Sequence, residues 1–91
     1  MKLDLGLGLE IDHRTGELIA AYLQIRRGKS AEVREFENGN VFADYDHAGR
    51  LLGIEILGPC RVAVLTRLAR DEPQPVRKFL RASVPVSMVA A

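Results

Sequence analysis

The sequence predicts a small α+β domain, in which a five-stranded antiparallel β-meander is followed by two short C-terminal helices packed on the sheet. Three observations predict this fold class. Residues 1–59 consist of short runs in which apolar and polar side chains alternate, as they do in half-buried strands. After Pro59 the aliphatic residues fall three and four apart, which is typical of helices. A chain of 91 residues is the size of one domain.

Five segments have the composition and period of strands. They cover residues 3–11, 19–25, 31–37, 41–46 and 51–57. In the first segment, five aliphatic residues alternate with Asp, Glu and Gly, so we expect one of its faces to be buried. Asn38-Gly39 between the third and fourth segments is a strong hairpin signal. Between the fourth and fifth, Asp46-His47-Ala48-Gly49 predicts a type I turn, with Gly49 at positive φ in a glycine bulge.

The rest of the chain predicts two helices and a tail. The first helix of about three turns is indicated by Val62, Leu65, Leu68 and Ala69, and the second by Val76, Phe79 and Leu80. Pro73 and Pro75 are expected to end the first helix, and Pro85 to limit the second. The single domain therefore divides into a β-meander at 1–59, a helical segment at 60–83 and an apolar tail at 84–91. The tail has no charged residue, and we expect it either to dock on the core or to contact a partner.

The β-hairpin carries a resemblance to a known family. Its motifs are Asp44-Tyr45-Asp46, Gly49-Arg50 and Gly53-Ile54-Glu55-Ile56-Leu57. They are similar to the signature of the YuzE-like family of small bacterial proteins, domain of unknown function 2283, and the similarity extends over roughly residues 17–59. The resemblance implies the fold and brings no catalytic residue to this chain. Members of the family are often encoded beside small ribonuclease-like toxins, so the resemblance also implies an antitoxin role for some of them.

Composition and charge exclude several classes of protein. With 47% hydrophobic and 27% charged residues, the chain resembles globular domains and not disordered ones. The sequence has no apolar run long enough to span a bilayer, no signal-peptide pattern and a single cysteine, Cys60, so we expect a cytoplasmic location. Residues 1–60 carry seven basic and ten acidic side chains, and residues 61–91 carry six basic and two acidic ones. Such asymmetry occurs in nucleic-acid binders, but it is more often the solvated face of amphipathic helices.

The acidic residues of the hairpin are the strongest candidates for a site. Asp44, Asp46, Gly49 and Glu55 match positions one, three, six and twelve of an EF-hand calcium loop. Ala48 supplies no ligand at position five, and the flanking segments are strands where the motif requires helices. We therefore predict no metal site. Alternation places Asp44 and Asp46 on one face of their strand, so that with Glu55 they could supply carboxylates for hydrolysis.

Other candidate residues are weaker. His13 and His47 each follow an Asp at a turn, and two such turns could meet at a metal; we interpret both as exposed turn residues. Cys60 lies where a strand gives way to a helix, a position that favours the thiolate, but no histidine is near it in sequence and burial is the better interpretation. Gly6-Leu7-Gly8 lies within a strand pattern and is not a nucleotide-binding loop. The sequence thus predicts no catalytic residue, no cofactor and no metal ligand.

We therefore expect a non-enzymatic protein-interaction or regulatory module, antitoxin-like among other roles, that binds no membrane. A homodimer is predicted because an open sheet leaves two unpaired edges and the tail adds apolar surface. A small protein partner is a further expectation. Two alternatives stay open. One is a nucleic-acid-binding module that uses the basic C-terminal helices, and the other is a small metal-dependent hydrolase that uses the acidic hairpin.

Overall fold

A computed structural model describes residues 2–90 and contains one five-stranded antiparallel sheet with two helices C-terminal to it. The predicted α+β class is confirmed. The strands of the sheet are β1 (Gly6–Ile11), β2 (Leu18–Gln24), β3 (Glu32–Phe36), β4 (Val41–Tyr45) and β5 (Leu51–Ile56). The helices are α1 (Val62–Leu68) and α2 (Gln74–Ser83), and a short parallel pair joins β6 (Cys60–Arg61) to β7 (Val89–Ala90). No helix within residues 2–90 has both the length and the hydrophobicity needed to cross a bilayer.

The order of the strands differs from the predicted meander. The sheet has the order β1-β2-β5-β4-β3, so β5 lies between β2 and β4 and β3 is at an edge. The composition of the strands explains the order, because β5 is almost wholly apolar whereas β3 carries three charged residues in five. The connection from β2 to β3 must therefore cross the end of the sheet. Along this path the N–H groups of Ile25 and Arg26 both donate to the carbonyl oxygen of Leu52, at 2.8 and 3.1 Å.

The helices cover one face of the sheet, and their limits differ from those predicted. α1 has seven residues, about two turns, so it is shorter than expected. α2 begins at Gln74, and Pro75 lies in its first turn instead of ending the helix before it. Proline is tolerated there because the N–H groups of a first turn have no partner within the helix. The core joins β2, β4 and β5 to both helices, and its members include Leu23, Ile25, Val41, Ile54, Ile56, Leu65, Val76 and Leu80.

The apolar tail docks on the core. Met88 is only 4% exposed and belongs to the core cluster. Val89–Ala90 forms β7, which pairs in parallel with β6, while Val86 is 90% exposed. Of the two expectations for the tail, the structure shows docking for residues 84–90; Ala91 lies outside the described residues.

The predicted burial of β1 is wrong. Leu7 and Leu9 of β1 pair with Leu23 and Ala21 of β2, so they lie on the face that the helices cover elsewhere. They are nevertheless 47% and 52% exposed, and Ile11 is 48% exposed. The reason is that the helices pack over β2, β4 and β5 and do not extend over β1. The alternation of apolar and polar residues correctly predicts the strand, but it does not indicate whether another element covers its apolar face.

Both predicted hairpins are present. In the turn between β4 and β5, Gly49 has φ +81°, and its N–H donates to the carbonyl oxygen of Asp46 at 3.0 Å. The turn between β3 and β4 is longer than the dipeptide suggested, because Phe36 pairs with Val41. Three successive residues in it have positive φ, namely Glu37, Asn38 and Gly39, at 54°, 54° and 88°.

We predict that Gly49→Val lowers the free energy of unfolding by more than about 1 kcal/mol, because a β-branched residue is disfavoured at positive φ. A Cβ at this position would meet no atom within 4 Å, so the cost comes from the backbone alone. Urea denaturation measures it, and Ala48→Val is the control in the same turn, with a much smaller expected effect. Equal stability of Gly49→Val and the unmodified chain would contradict the turn assignment.

Candidate functional site

The face of the sheet opposite the helices is open and acidic. Strand alternation places on it the residues between those of the core. One row across the strands consists of Gly8, Tyr22, Glu55, Phe42 and Glu35, and the next consists of Gly6, Gln24, Gly53, Asp44 and Val33. All charged strand residues on this side are carboxylates, namely Glu10, Glu35, Asp44 and Glu55. We refer to this surface as the acidic face.

Tyr22 lies across the neighbouring strand at Gly53. A Cβ atom on residue 53 would be 2.1 Å from the hydroxyl oxygen of Tyr22 and 2.4 Å from its Cζ, so only glycine leaves room for the ring. Burial raises the pKa of Tyr22, and the carboxylates of Asp44 and Glu55 raise it further. The phenol therefore stays protonated at neutral pH and is available as a hydrogen-bond donor, not as a phenolate.

The acidic face has the chemistry of a surface for cations. The Asp44 carboxylate accepts a hydrogen bond from the hydroxyl of Ser30. Glu55 lies between Tyr22 and Phe42 in its row. Carboxylates beside aromatic rings can bind an ammonium or guanidinium group by an ion pair and a cation–π contact. Two cavities within residues 2–90 are lined by the helices and their neighbouring segments, and neither lies on this surface.

Asp46 does not pair with Asp44 on this face, and that prediction is wrong. Its Oδ1 accepts hydrogen bonds from the N–H groups of Ala48 and Arg50, both at 2.9 Å. Its Oδ2 accepts one from Nε of Arg50 at 2.9 Å. The strand register shifts between Asp44 and Tyr45, and the Asp46 side chain that follows is buried within the turn. The backbone N–H of Arg50 is the largest cause that lowers the pKa of Asp46, so the carboxylate stabilises the turn.

The histidines lie in separate turns. His47 is exposed between β4 and β5, and His13 is exposed between β1 and β2. Within residues 2–90, no three His, Cys, Asp or Glu side chains come together as metal ligands would. The segment with EF-hand-like spacing forms the β4–β5 hairpin and not a loop between helices.

Cys60 is fully buried in the core. It lies in β6 opposite Val89 of β7. Burial raises the pKa of its thiol, and the charge of Glu37 adds to the effect. The thiol is therefore held in its protonated, unreactive form, and the residue acts as a small apolar side chain.

Tyr22 and Gly53 were not among the site residues predicted from the sequence. Tyr22 lies in the mostly apolar sequence of β2, where nothing distinguishes it from a core residue. Its role depends on contact with Gly53, which is 31 positions further along the chain. Gly53 was the available signal, because a glycine within an apolar strand often marks a site where another group approaches the backbone closely.

We predict that Gly53→Ala destabilises the protein by about 1–3 kcal/mol, because its methyl group overlaps the Tyr22 ring. In a Tyr22→Ala background the same change should cost much less, so the double-mutant cycle should give a coupling of at least about 1 kcal/mol. Urea denaturation of the four proteins measures it. Additive effects would show that the ring does not depend on the glycine.

A second prediction concerns Asp46, whose pKa is lowered in the native state. Such a carboxylate stabilises the fold above its unfolded pKa of about 3.9, and the contribution is lost as the pH falls through the lower native value. Asp46→Asn should therefore be less stable than the unmodified chain at pH 7, and the difference should narrow below about pH 4.

Thermal unfolding between pH 2 and pH 7 measures this effect of Asp46. Asp71→Asn is the control, since Asp71 is exposed and has no hydrogen bond or salt bridge to another residue of the described chain. A stability difference for Asp46→Asn that is constant with pH would contradict the assigned role.

The comparisons with known proteins agree with the resemblance found in the hairpin. No curated protein and no solved structure gives a match to the chain. The family model that matches describes proteins of unknown function, and the matched segment runs from β2 to just beyond β5. This segment contains Tyr22, Asp44, Gly53 and Glu55 of the acidic face. Residues 20–58 thus match the family of proteins of unknown function DUF2283, as the hairpin motifs predicted.

Proposed function

We propose that this chain is a non-enzymatic protein-interaction module that acts as a homodimer, with β1 as the interface. The observation that carries the proposal is a row of aliphatic side chains, Leu5, Leu7, Leu9 and Ile11, which we name the β1 stripe. These side chains are 38–52% exposed. They lie on or just before a strand that has no neighbour on its outer side within residues 2–90.

The β1 stripe has two properties of an interface. A contiguous row of large aliphatic side chains in water is unfavourable, and covering it gains about 25 cal/mol for each Å² removed from solvent. The outer edge of the same strand presents N–H and C=O groups that no other described strand pairs with, which another strand can satisfy by extending the sheet. A single partner strand would thus cover the β1 stripe and also form hydrogen bonds with the unpaired N–H and C=O groups of β1.

The opposite edge of the sheet lacks these properties. β3 has the sequence EVREF, and its Arg34 forms an ion pair with Glu32 through Nε and Oε2. The ring of Tyr45 packs against the same guanidinium at 4.5 Å. Charged side chains protect an edge strand from further pairing. Self-association is therefore expected at β1 and not at β3.

A second copy of the chain suits the β1 edge. Antiparallel pairing about a two-fold axis at Gly8 would place Leu7 opposite Leu9 of the second copy and Leu5 opposite its Ile11. Glu10 would face Gly6, so no two carboxylates would oppose each other between residues 5 and 11. The two stripes would form one aliphatic surface on the helical side, and a symmetric dimer is the commonest closed assembly.

The states of the reactive side chains support a binding role over catalysis. Tyr22 and Cys60 have raised pKa values, and the Asp46 carboxylate is occupied by its own turn. Of the three carboxylates considered for hydrolysis, Asp46 is therefore not free to act on a substrate. An antitoxin-like role is one form of the proposal, since neutralising a toxin requires only a surface that binds it.

We predict a dimer in sedimentation experiments on the full chain at micromolar concentration. Leu9→Glu should shift the equilibrium to the monomer, because two copies would bury the new carboxylates in the interface. Val33→Glu is the matched control, since Val33 is 58% exposed on the opposite edge strand, and it should leave the dimer intact.

Two results would overturn the homodimer proposal. One is a monomer mass for the unmodified chain at these concentrations. The other is a dimer that Val33→Glu dissociates and Leu9→Glu does not, which would move the interface to β3.

A further inference from the structure

A groove lies on the helical layer, by which we mean α1, α2, the loop between them and the docked tail. Aliphatic side chains form its floor, and arginine side chains lie at its edge. It lies among α1, α2 and the docked tail, and Leu65, Leu80 and Val84 are among its lining residues. Its cavity volume is about 90 Å³. Arg77 and Arg81 also border it, and they are four residues apart on one face of α2. The groove is separate from the β1 stripe and from the acidic face, so it extends the proposed function to a second surface.

The arginines of α1, of α2 and of the loop between them differ from most of the other arginines. Arg26, Arg27, Arg34, Arg50 and Arg61 each form a salt bridge with a carboxylate. Arg67, Arg70, Arg77 and Arg81 form none with another residue in the described part of the chain. Arg67, Arg70 and Arg77 border a second, shallower depression that shares Thr66 and Val62 with the groove. Of the five arginines without a salt bridge in the described chain, Arg14 lies between β1 and β2, and the other four lie on α1, on α2 or in the loop that joins them.

Among residues 2–90, no acidic side chain borders the groove, and neither Asp71 nor Glu72 forms a salt bridge with its arginines. Glu72 is not among the lining residues, and its Oε1 is 2.7 Å from the Arg26 guanidinium in a pair that is mostly buried. The guanidinium of Arg77 donates only to the neutral amide oxygen of Gln74, at 2.7 Å. Arginine side chains free of a carboxylate can form paired, charge-assisted hydrogen bonds to an incoming one.

We propose that the groove binds an acidic segment of a protein partner. One aliphatic side chain of the segment fills the cavity, and carboxylates beside it in sequence contact Arg77 and Arg81. The size of the cavity supports this occupant. A cavity of about 150 Å³ holds one benzene molecule, so 90 Å³ accepts a side chain of about the size of Leu and is too small for a lipid chain or a fused ring.

The lining also favours a peptide over a nucleic acid. Proteins that bind single strands combine basic side chains with exposed aromatic rings on which bases stack. The lining of this groove has no aromatic side chain, and Phe79 of α2 packs against the core. Contact between the aliphatic lining and a phosphate or sugar removes little apolar surface from water. Contact with Leu, Ile or Val removes more of it and is therefore more favourable.

A library of random 16-residue peptides displayed on phage, selected on the purified full chain, tests the proposal. We expect the enriched peptides to share an aliphatic residue flanked by at least two Asp or Glu. Fluorescence anisotropy of a labelled synthetic copy then measures its affinity for three variants. The double variant Arg77→Glu with Arg81→Glu should weaken binding at least tenfold. Thr66→Phe, which fills the groove without changing its charge, should do the same.

Lys78→Glu is the matched control, because Lys78 is an exposed cation on α2 that does not border the groove. It should change the affinity less than threefold, and circular dichroism should show that all variants keep the native fold. A 20-nucleotide single-stranded RNA is the competing probe, and we expect it to bind more weakly than the peptide.

Four results would overturn the groove proposal. Selection could enrich no acidic peptides. Binding could be unaffected by the changes at Arg77 and Arg81 or by Thr66→Phe. Lys78→Glu could weaken binding as much as the double variant, which would indicate unspecific charge attraction. Finally, RNA could bind more tightly than the peptide and be lost in the double variant, which would assign these arginines to phosphate.

Discussion

The burial of β5 at the centre of the sheet is the constraint on which the rest of the structure depends. Leu51, Leu52, Ile54 and Ile56 are at most 3% exposed, and β5 pairs with β2 on one side and β4 on the other. The register shift between Asp44 and Tyr45 leaves Leu52 without a partner in β4. Its carbonyl oxygen accepts hydrogen bonds from Ile25 and Arg26, where the chain leaves β2. Because β5 and its neighbours hold most of the apolar surface, the short helices and the tail pack there. That packing leaves β1 paired with β2 and without helical cover.

This arrangement also separates the charges of the protein. Four of the five strand carboxylates lie on the acidic face, and the fifth, Glu32, pairs with Arg34 on the other side of the sheet. The helical layer carries four of the five arginines that form no salt bridge among the described residues. The sheet stands between them, so the two sets cannot neutralise each other within one chain. A total charge of +1 therefore conceals two oppositely charged surfaces. Each can attract a partner of opposite sign, and the uncharged β1 stripe lies at the edge between them.

The sequence specifies those features that depend on neighbouring residues. Alternation located the five strands, and the Asp46–Gly49 turn has the predicted positive φ at Gly49 because its geometry depends on a few adjacent positions. The strand order could not be predicted in this way, because the pairing of β2 with β5 joins segments about 30 residues apart and no local signal reports it. The contact of Tyr22 with Gly53 and the exposure of the β1 stripe both follow from that pairing. The prediction that Asp44 and Asp46 share a face was wrong for a local reason. Alternation assumes that the strand continues through Asp46, whereas the Asp46 carboxylate accepts a hydrogen bond from the backbone of the turn.

Amide hydrogen exchange along β1, measured residue by residue at several protein concentrations, tests the proposed interface most directly. In an isolated antiparallel edge strand, only alternate N–H groups are bonded to the neighbouring strand. The account predicts alternating protection along Gly6–Ile11 in dilute solution and protection of every amide there as the concentration rises. The edge amides of β3 should stay unprotected throughout. Alternating protection of β1 that persists at every concentration would contradict the proposal that a second copy completes the sheet.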